Sequence, residues 1–177
     1  MDFSAELSKV RAANPDAVWV FYPGQSGVEF FQQYVQAGLN KTIPLYSSFT
    51  VDALSLPQLK DLAGGHQSTQ SWVADIDNAE NKKFVADYKK KFGRYPTYYA
   101  AQAYDAIMLI NGVVTDLKGD LSNKDAVRKS LEKAPFKSVR GNFKYNNNHF
   151  PIADFYSQEA KKDAEGNFVN MKIEVVA

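Results

Sequence analysis

The residues best placed to do chemistry form the run Gly24-Gln25-Ser26-Gly27, between an apolar stretch and an amphipathic one. A serine at such a turn suggests a hydrolase nucleophile, but that motif needs Gly-x-Ser-x-Gly and position 28 is Val. A catalytic triad would also need His66 or His149 as its base, and neither has a convincing acid near it in the sequence. We therefore predict no catalytic residue. Ser26 is expected to cap the helix that follows, whose N-terminus would attract an anionic group.

Sequence patterns that suggest a metal site or a nucleotide site lack the residue types that such sites need. The stretch 75–80 suggests a calcium loop, but Ala79 stands where an oxygen ligand is needed and no glycine follows. The two histidines are too few for a metal site, and no glycine-rich nucleotide loop is present. We therefore predict neither a metal nor a cofactor, and we predict that the protein is not an enzyme.

Composition and charge exclude further classes of protein. The chain of 177 residues has no cysteine, which rules out disulfides and zinc–thiolate sites. Its net charge is +1, so the basic run 82–94 is interpreted as a solvated helix face and no nucleic-acid partner is predicted. No apolar run approaches the roughly 20 residues of a membrane span. Because Asp2, Phe3 and Ser4 follow Met1 directly, we expect no signal peptide in this chain.

The turn at Gly24 is expected to join two strands of a parallel sheet through a helix. The run 17–22 is apolar throughout, which is typical of a strand covered on both faces. Val28, Phe31 and Val35 have helical spacing, and Gly38 is expected to end that helix. Residues 43–46 form the second predicted strand. Because ligands of open α/β sheets lie beyond the carboxyl ends of the strands, we expect a site at 22–26 and 47–50.

The remaining elements follow from periodicity and turn signals. Helices are predicted over 3–13, 52–62, 77–92, 98–117 and 122–133, and extended segments over 66–74, 139–145, 152–159 and 168–176. The helix 98–117 is apolar almost all round, so it is expected to be well buried.

The aromatic share of 14% bears on the kind of ligand. Four aromatic residues within or beside the first βα unit are expected in the core: Phe21, Phe30, Phe31 and Tyr34. Five others stand at element ends, where core and ligand contact are equally open: Tyr22, Phe49, Trp72, Tyr98 and Tyr99. Tyr and Trp in such places suit a small ligand that has an apolar body and one polar group.

Three segments resemble the type I periplasmic substrate-binding proteins, and among them the branched-chain amino acid receptors of ABC transporters. They are DFSAELSKVRAANPDAVWVFYPG, followed by QQYVQAGLNKTIPLYSSF; WVADIDNAENKKFVADYKKKFGRYPTYYAAQAYDAIMLI; and SVRGNFKYNNNHFPIADFYSQEA. The resemblance implies two flavodoxin-like α/β lobes with the ligand trapped between them. It assigns 1–74 to lobe two, 75–150 to a portion of lobe one and 151–177 to a return into lobe two, so we expect a C-terminal fragment of a longer protein.

The resemblance also implies a site. The turn 21–26 falls where the family places an aromatic against the ligand, and 47–49 falls where amino-acid-binding members carry an acid for the ammonium group. No acid stands here before Asp52. With the strand-end aromatics, the predicted ligand-binding residues are Tyr22, Gly24, Gln25, Ser26, Ser47, Ser48, Phe49, Trp72 and Tyr99.

The expected function is that of an extracytoplasmic, periplasmic solute-binding component of an ABC uptake system, working with a membrane permease. Its expected ligand is a small carboxylate, either an aromatic acid or an amino acid. The alternative is a ligand-sensing domain of a receptor or regulator with the same fold. Since the expected lobe-one partners are absent from the sequence, an open apolar edge would lead this chain to self-associate.

Overall fold

The structure is a computed structural model that describes residues 1–176. The described chain divides into two compact units. The first consists of Met1–Gln70 and Tyr156–Val175, and the second of Ser71–Phe155 with Val176. The assignment of segments 1–74, 75–150 and 151–177 to two lobes stays a prediction.

The first unit is built on a five-stranded mixed sheet. Its strands are β1 (Val18–Val20), β2 (Leu45–Ser48), β3 (Gln67–Gln70), β6 (Tyr156–Lys162) and β7 (Phe168–Val175), in the order β1-β2-β3-β6-β7. The pairs β1-β2 and β2-β3 are parallel, whereas β3-β6 and β6-β7 are antiparallel. The predicted parallel βαβ unit is thus confirmed, although its first strand is shorter than 17–22.

Three helices accompany this sheet: α1 (Ser4–Ala13), α2 (Gln25–Gln36) and the short α3 (Leu56–Leu59), which continues as a 3-10 turn (Lys60–Ala63). Another 3-10 turn, Leu39–Lys41, follows α2. As predicted, Gly38 ends α2 in the left-handed conformation, with φ 72°. Residues of α1 and α2 pack on Val20, and residues of α2 and α3 pack on Ala160, so both apolar clusters lie on one face of the sheet.

The opposite face of the sheet corrects an expectation. Strand β1 was expected to be covered on both faces, but Trp19 is 63% exposed and Tyr46, its register partner on β2, is 41% exposed. By contrast Val20 and its register partner Ser47 are buried. The reason is that the helices which form the core of this unit all pack on the Val20 side.

The second unit is mainly helical, with α4 (Ala79–Phe92), α5 (Tyr98–Asp116), α6 (Lys124–Lys133) and a small hairpin of β4 (Lys144–Tyr145) and β5 (Pro151–Ile152). The strand predicted over 139–145 therefore shrinks to its last two residues. Helix α5 has the predicted length but not the predicted burial, since Ile107 is 64% and Ile110 54% exposed. An apolar composition gives a helix the capacity to be buried, but the burial itself requires a neighbour on every side.

A buried charge cluster joins α5 to the turn after α6. The Asp105 carboxylate is 2% exposed and accepts from the Ser138 hydroxyl at 2.5 Å, the Val139 N–H at 3.0 Å and the Arg140 Nε at 3.0 Å. Because each oxygen has a donor and Arg140 supplies the opposite charge, this carboxylate is compensated inside the unit.

Candidate functional site

The candidate site lies in the first unit, where β1 and β2 end side by side. The register pairs Val20 with Ser47, so the segments that follow both strands leave the sheet at its carboxyl edge. The edge brings together six of the predicted residues: Tyr22, Gly24, Gln25, Ser26, Ser48 and Phe49. Ser47 is next to them in sequence but points into the core.

The N-terminus of α2 is open to an anionic group. Gly24 occupies the N-cap position with φ 75°, and no side chain caps the helix. Ser26 was expected to be the cap, but its hydroxyl donates to the Pro23 carbonyl at 3.3 Å instead. Within residues 1–176 the N–H groups of Gln25 and Ser26 therefore have no side-chain acceptor, which leaves two donors at the positive end of the helix.

The first turn of α2 is pressed against the end of β1. A Cβ added to Gly27 would stand 2.0 Å from the Tyr22 carbonyl oxygen, so only glycine permits this approach. The contact fixes the distance between the helix N-terminus and the strand end. The sequence signal for this close approach is Gly27, the second glycine of the turn 24–27.

An aromatic pair stands beside the helix N-terminus. The rings of Phe21 and Phe49 are 5.8 Å apart and nearly perpendicular, at 74°. Phe21 was expected in the core but is 54% exposed, whereas Tyr22 packs its ring on Phe3 and Phe30 at 5.3 and 5.1 Å. The core prediction for Phe21 is therefore wrong, and Tyr22, for which core and ligand contact were both open, packs its ring against the core. The alternation of β1, continued past buried Val20, turns Phe21 to the face of exposed Trp19, and the helices of this unit pack on the Val20 face instead.

Phe49 has an unusual backbone. Its φ is 55°, in the left-handed region, where a residue with a Cβ is strained by about 1–2 kcal/mol. Such strain persists where surrounding contacts fix it, and it is found preferentially at binding sites.

The serines of β2 use their hydroxyls inside the sheet. Ser47 is 1% exposed and its Oγ lies 2.8 Å from the Nε2 of His66, while the Ser48 hydroxyl donates to the Thr69 carbonyl at 3.2 Å. His66 packs edge-on against Phe31 at 5.0 Å, and burial lowers its pKa to about 4, so the ring is neutral near pH 7. A Ser–His pair this far from solvent is out of reach of a substrate, although the two groups lie at hydrogen-bonding distance.

Asp52, the first acidic residue after β2, accepts hydrogen bonds from backbone N–H groups of the turn that follows it. The Oδ1 of Asp52 accepts from the N–H groups of Leu54 and Ser55, at 2.9 and 3.1 Å. That oxygen stabilises the turn that leads into α3.

The last two predicted residues belong to the second unit. Trp72 is 5% exposed, and its indole N–H donates to the Asn81 Oδ1 at 2.8 Å, so it is a core residue of that unit. Tyr99 is 49% exposed on α5, with its ring 5.7 Å from that of Tyr98. Their part in ligand binding stays a prediction.

These features define an α/β protein whose sheet carries an anion-accepting helix N-terminus and an aromatic pair at one edge. A family model described as "Periplasmic binding protein" matches residues 1–165, and the chain belongs to that family. Its α/β architecture is that of the type I fold, as predicted.

Curated and solved relatives agree with this placement. The chain is 26% identical over 181 residues to Leu/Ile/Val-binding protein homolog 6 of Brucella melitensis biotype 1, across 98% of this chain and 46% of the relative. A solute-binding protein of an ABC transporter from R. palustris, solved with benzoate, is 30% identical with a TM-score of 0.86, across 99% of this chain and 48% of that one. An ABC transporter substrate-binding protein from Sphaerobacter thermophilus is 26% identical with a TM-score of 0.92, across 99% and 49%. The chain spans about half the length of the curated relatives it matches.

Proposed function

We propose that this chain contributes to an extracytoplasmic solute-binding component of an ABC uptake system, one that binds a small aromatic carboxylate. The observation that carries the proposal is the pairing of an uncapped α2 N-terminus with the Phe21–Phe49 pair. The helix N–H groups suit a carboxylate, and the two rings suit an aromatic body.

The choice of carboxylate over amino acid depends on charge. A bound amino acid brings an ammonium group, and leaving that group unpaired in a closed site costs on the order of several kcal/mol. The strand end that would supply an acid offers Ser47, Ser48 and Phe49, and Asp52 is engaged in its own turn. The benzoate bound to the relative from R. palustris supports the same class of ligand.

We assign a role in ligand binding or in support of the site to each residue at this sheet edge. The backbone N–H groups of Gln25 and Ser26 bind the carboxylate, and Phe21 and Phe49 pack on the ring. Gly24 allows the turn, while Ser47 and Ser48 tie β2 to its neighbours rather than contact the ligand.

We propose no catalytic step, and we propose that the whole protein acts in the periplasm with a membrane permease. Within residues 1–176, no helix is long and apolar enough to cross a membrane.

A titration of the 15N-labelled chain with benzoate and with leucine tests the proposal. We expect saturable shifts of the Gln25, Ser26 and Phe49 amides with benzoate, and at least tenfold weaker binding of leucine. Tighter binding of leucine would refute the ligand class, and benzoate shifts confined to residues far from this edge would refute the site.

We also propose that the chain pairs with a second copy along β1. Strand β1 is at the edge of the sheet, carries no charge and exposes Trp19. Uncharged edge strands tend to pair with other chains. Light scattering should show a dimer or larger species that Trp19→Lys converts to monomer, and a wild-type monomer at high micromolar concentration would contradict this.

A further inference from the structure

Thr50 ties together the three segments that form the candidate site. It follows Phe49 directly and is 1% exposed. Its hydroxyl accepts from the Tyr22 N–H at 3.0 Å and donates to the Ser48 carbonyl at 3.2 Å. Its methyl carbon lies 3.0 Å from the position that a Cβ on Gly27 would occupy. One side chain thus contacts the end of β1, the end of β2 and the first turn of α2.

The hydrogen bond from the Thr50 hydroxyl to the Ser48 carbonyl joins the two residues that flank Phe49. Phe49 is the residue with φ 55°, a conformation that a side chain resists unless its surroundings hold it. Thr50 supplies such a constraint, because its hydroxyl fixes the carbonyl before Phe49 while its contact with Tyr22 fixes the neighbouring strand end. The Phe49 ring lies 5.8 Å from that of Phe21 in this arrangement.

We infer that Thr50 is a positioning residue, whose hydroxyl holds Phe49 in the left-handed conformation and so presents the Phe21–Phe49 pair at the sheet edge. The inference rests on the proposed function only in placing the ligand at this edge. Thr50 needs no contact with the ligand itself.

The test uses two substitutions that separate the hydroxyl from the methyl group. Thr50→Val keeps the shape of the side chain and removes both hydrogen bonds, whereas Thr50→Ser keeps the hydroxyl and loses the methyl carbon. Three quantities are measured: the Phe49 Cα and Cβ chemical shifts, which report its backbone conformation; the hydrogen-exchange rate of the Tyr22 amide; and the affinity for benzoate by NMR titration.

We expect Thr50→Val to move the Phe49 shifts towards values typical of extended backbone, to speed exchange of the Tyr22 amide at least tenfold, and to weaken benzoate binding about tenfold. Thr50→Ser should keep the wild-type Phe49 shifts and bind benzoate within threefold of the wild type. If Thr50→Val does not fold, Thr50→Ala takes its place with the same expectations.

Two outcomes overturn the inference. The first is a Thr50→Val chain whose Phe49 shifts and Tyr22 exchange equal those of the wild type. The second is a Thr50→Ser chain that departs from the wild type as far as Thr50→Val does. If the wild type does not bind benzoate at all, the proposed function fails instead, and the Phe49 shifts and Tyr22 exchange still decide the role of Thr50.

Discussion

The backbone N–H of Gln25 is a proposed ligand donor that a single substitution can remove. Gln25 is the first residue of α2, so its N–H has no acceptor within the helix. Proline is tolerated at the first helical position, because it lacks only that N–H and its fixed φ suits a helix. Gln25→Pro is therefore expected to remove one proposed ligand donor while α2 remains intact.

The expected loss can be estimated from the charge of the ligand. A hydrogen bond to a charged group contributes about 1.5–3 kcal/mol, and each 1.4 kcal/mol is a factor of about ten, so benzoate affinity should fall roughly 10- to 150-fold. Gln25→Ala is the matched control, because it keeps the N–H and removes a side-chain amide that contacts Glu29 at 3.3 Å. We expect the control to bind within about twofold of the wild type, since an exposed contact of this kind contributes little.

The assay is an NMR titration of each chain with benzoate, and thermal unfolding followed by circular dichroism checks that both variants stay folded. If folded Gln25→Pro binds benzoate as well as Gln25→Ala does, the helix N-terminus does not hold the carboxylate. A loss of affinity in Gln25→Ala equal to that in Gln25→Pro would instead assign the effect to the side chain.

Three further predictions concern stability. Phe49→Gly should be about 1 kcal/mol more stable to urea than Phe49→Ala, because the φ of residue 49 is 55° and glycine adopts that conformation without strain. In an ordinary helix or strand alanine is the more stable of the two, so equal stability of the two variants would contradict the strained backbone. The His66 pKa of about 4 lies below its ordinary 6.5, so its contribution to stability is present above pH 6.5 and is lost as the pH falls towards 4. Between pH 7.5 and 5 this loss should be about 2 kcal/mol, measured as the difference between the wild type and His66→Gln, and parallel pH profiles of the two chains would refute it. Asp105→Asn should cost roughly 3 kcal/mol or more in urea unfolding because it removes the charge that pairs with buried Arg140 at 3.0 Å. The exposed control Asp125→Asn should cost less than about 0.5 kcal/mol, and similar costs for the two variants would refute the argument.

The elements that the sequence predicted well are those whose signals are local. Gly38 ends α2 as predicted, and the helix predicted over 77–92 ends at Phe92, where Gly93 follows in the left-handed conformation. A glycine after a periodic run is enough to end a helix. The parallel pairing of β1 and β2 followed from one helix placed between two apolar runs.

The features that the sequence did not reveal depend on contacts between distant residues. Thr50 meets Tyr22 across 28 positions, and Asp105 meets Arg140 across 35, so no spacing within a motif could show either contact. Phe21 was misassigned because its exposure depends on which face of β1 the helices cover, and the apolar run 17–22 does not show that. Helix α5 was misjudged for a similar reason, since its composition does not show which faces have neighbours.

The central claim is that this sheet edge binds an aromatic carboxylate, and intermolecular NOEs in the benzoate-saturated chain test it most directly. We expect NOEs from the benzoate ring protons to the ring protons of Phe21 and Phe49 and to the amide protons of Gln25 and Ser26. Benzoate NOEs that involve none of these residues, or leucine binding that displaces benzoate at equal concentration, would contradict the claim.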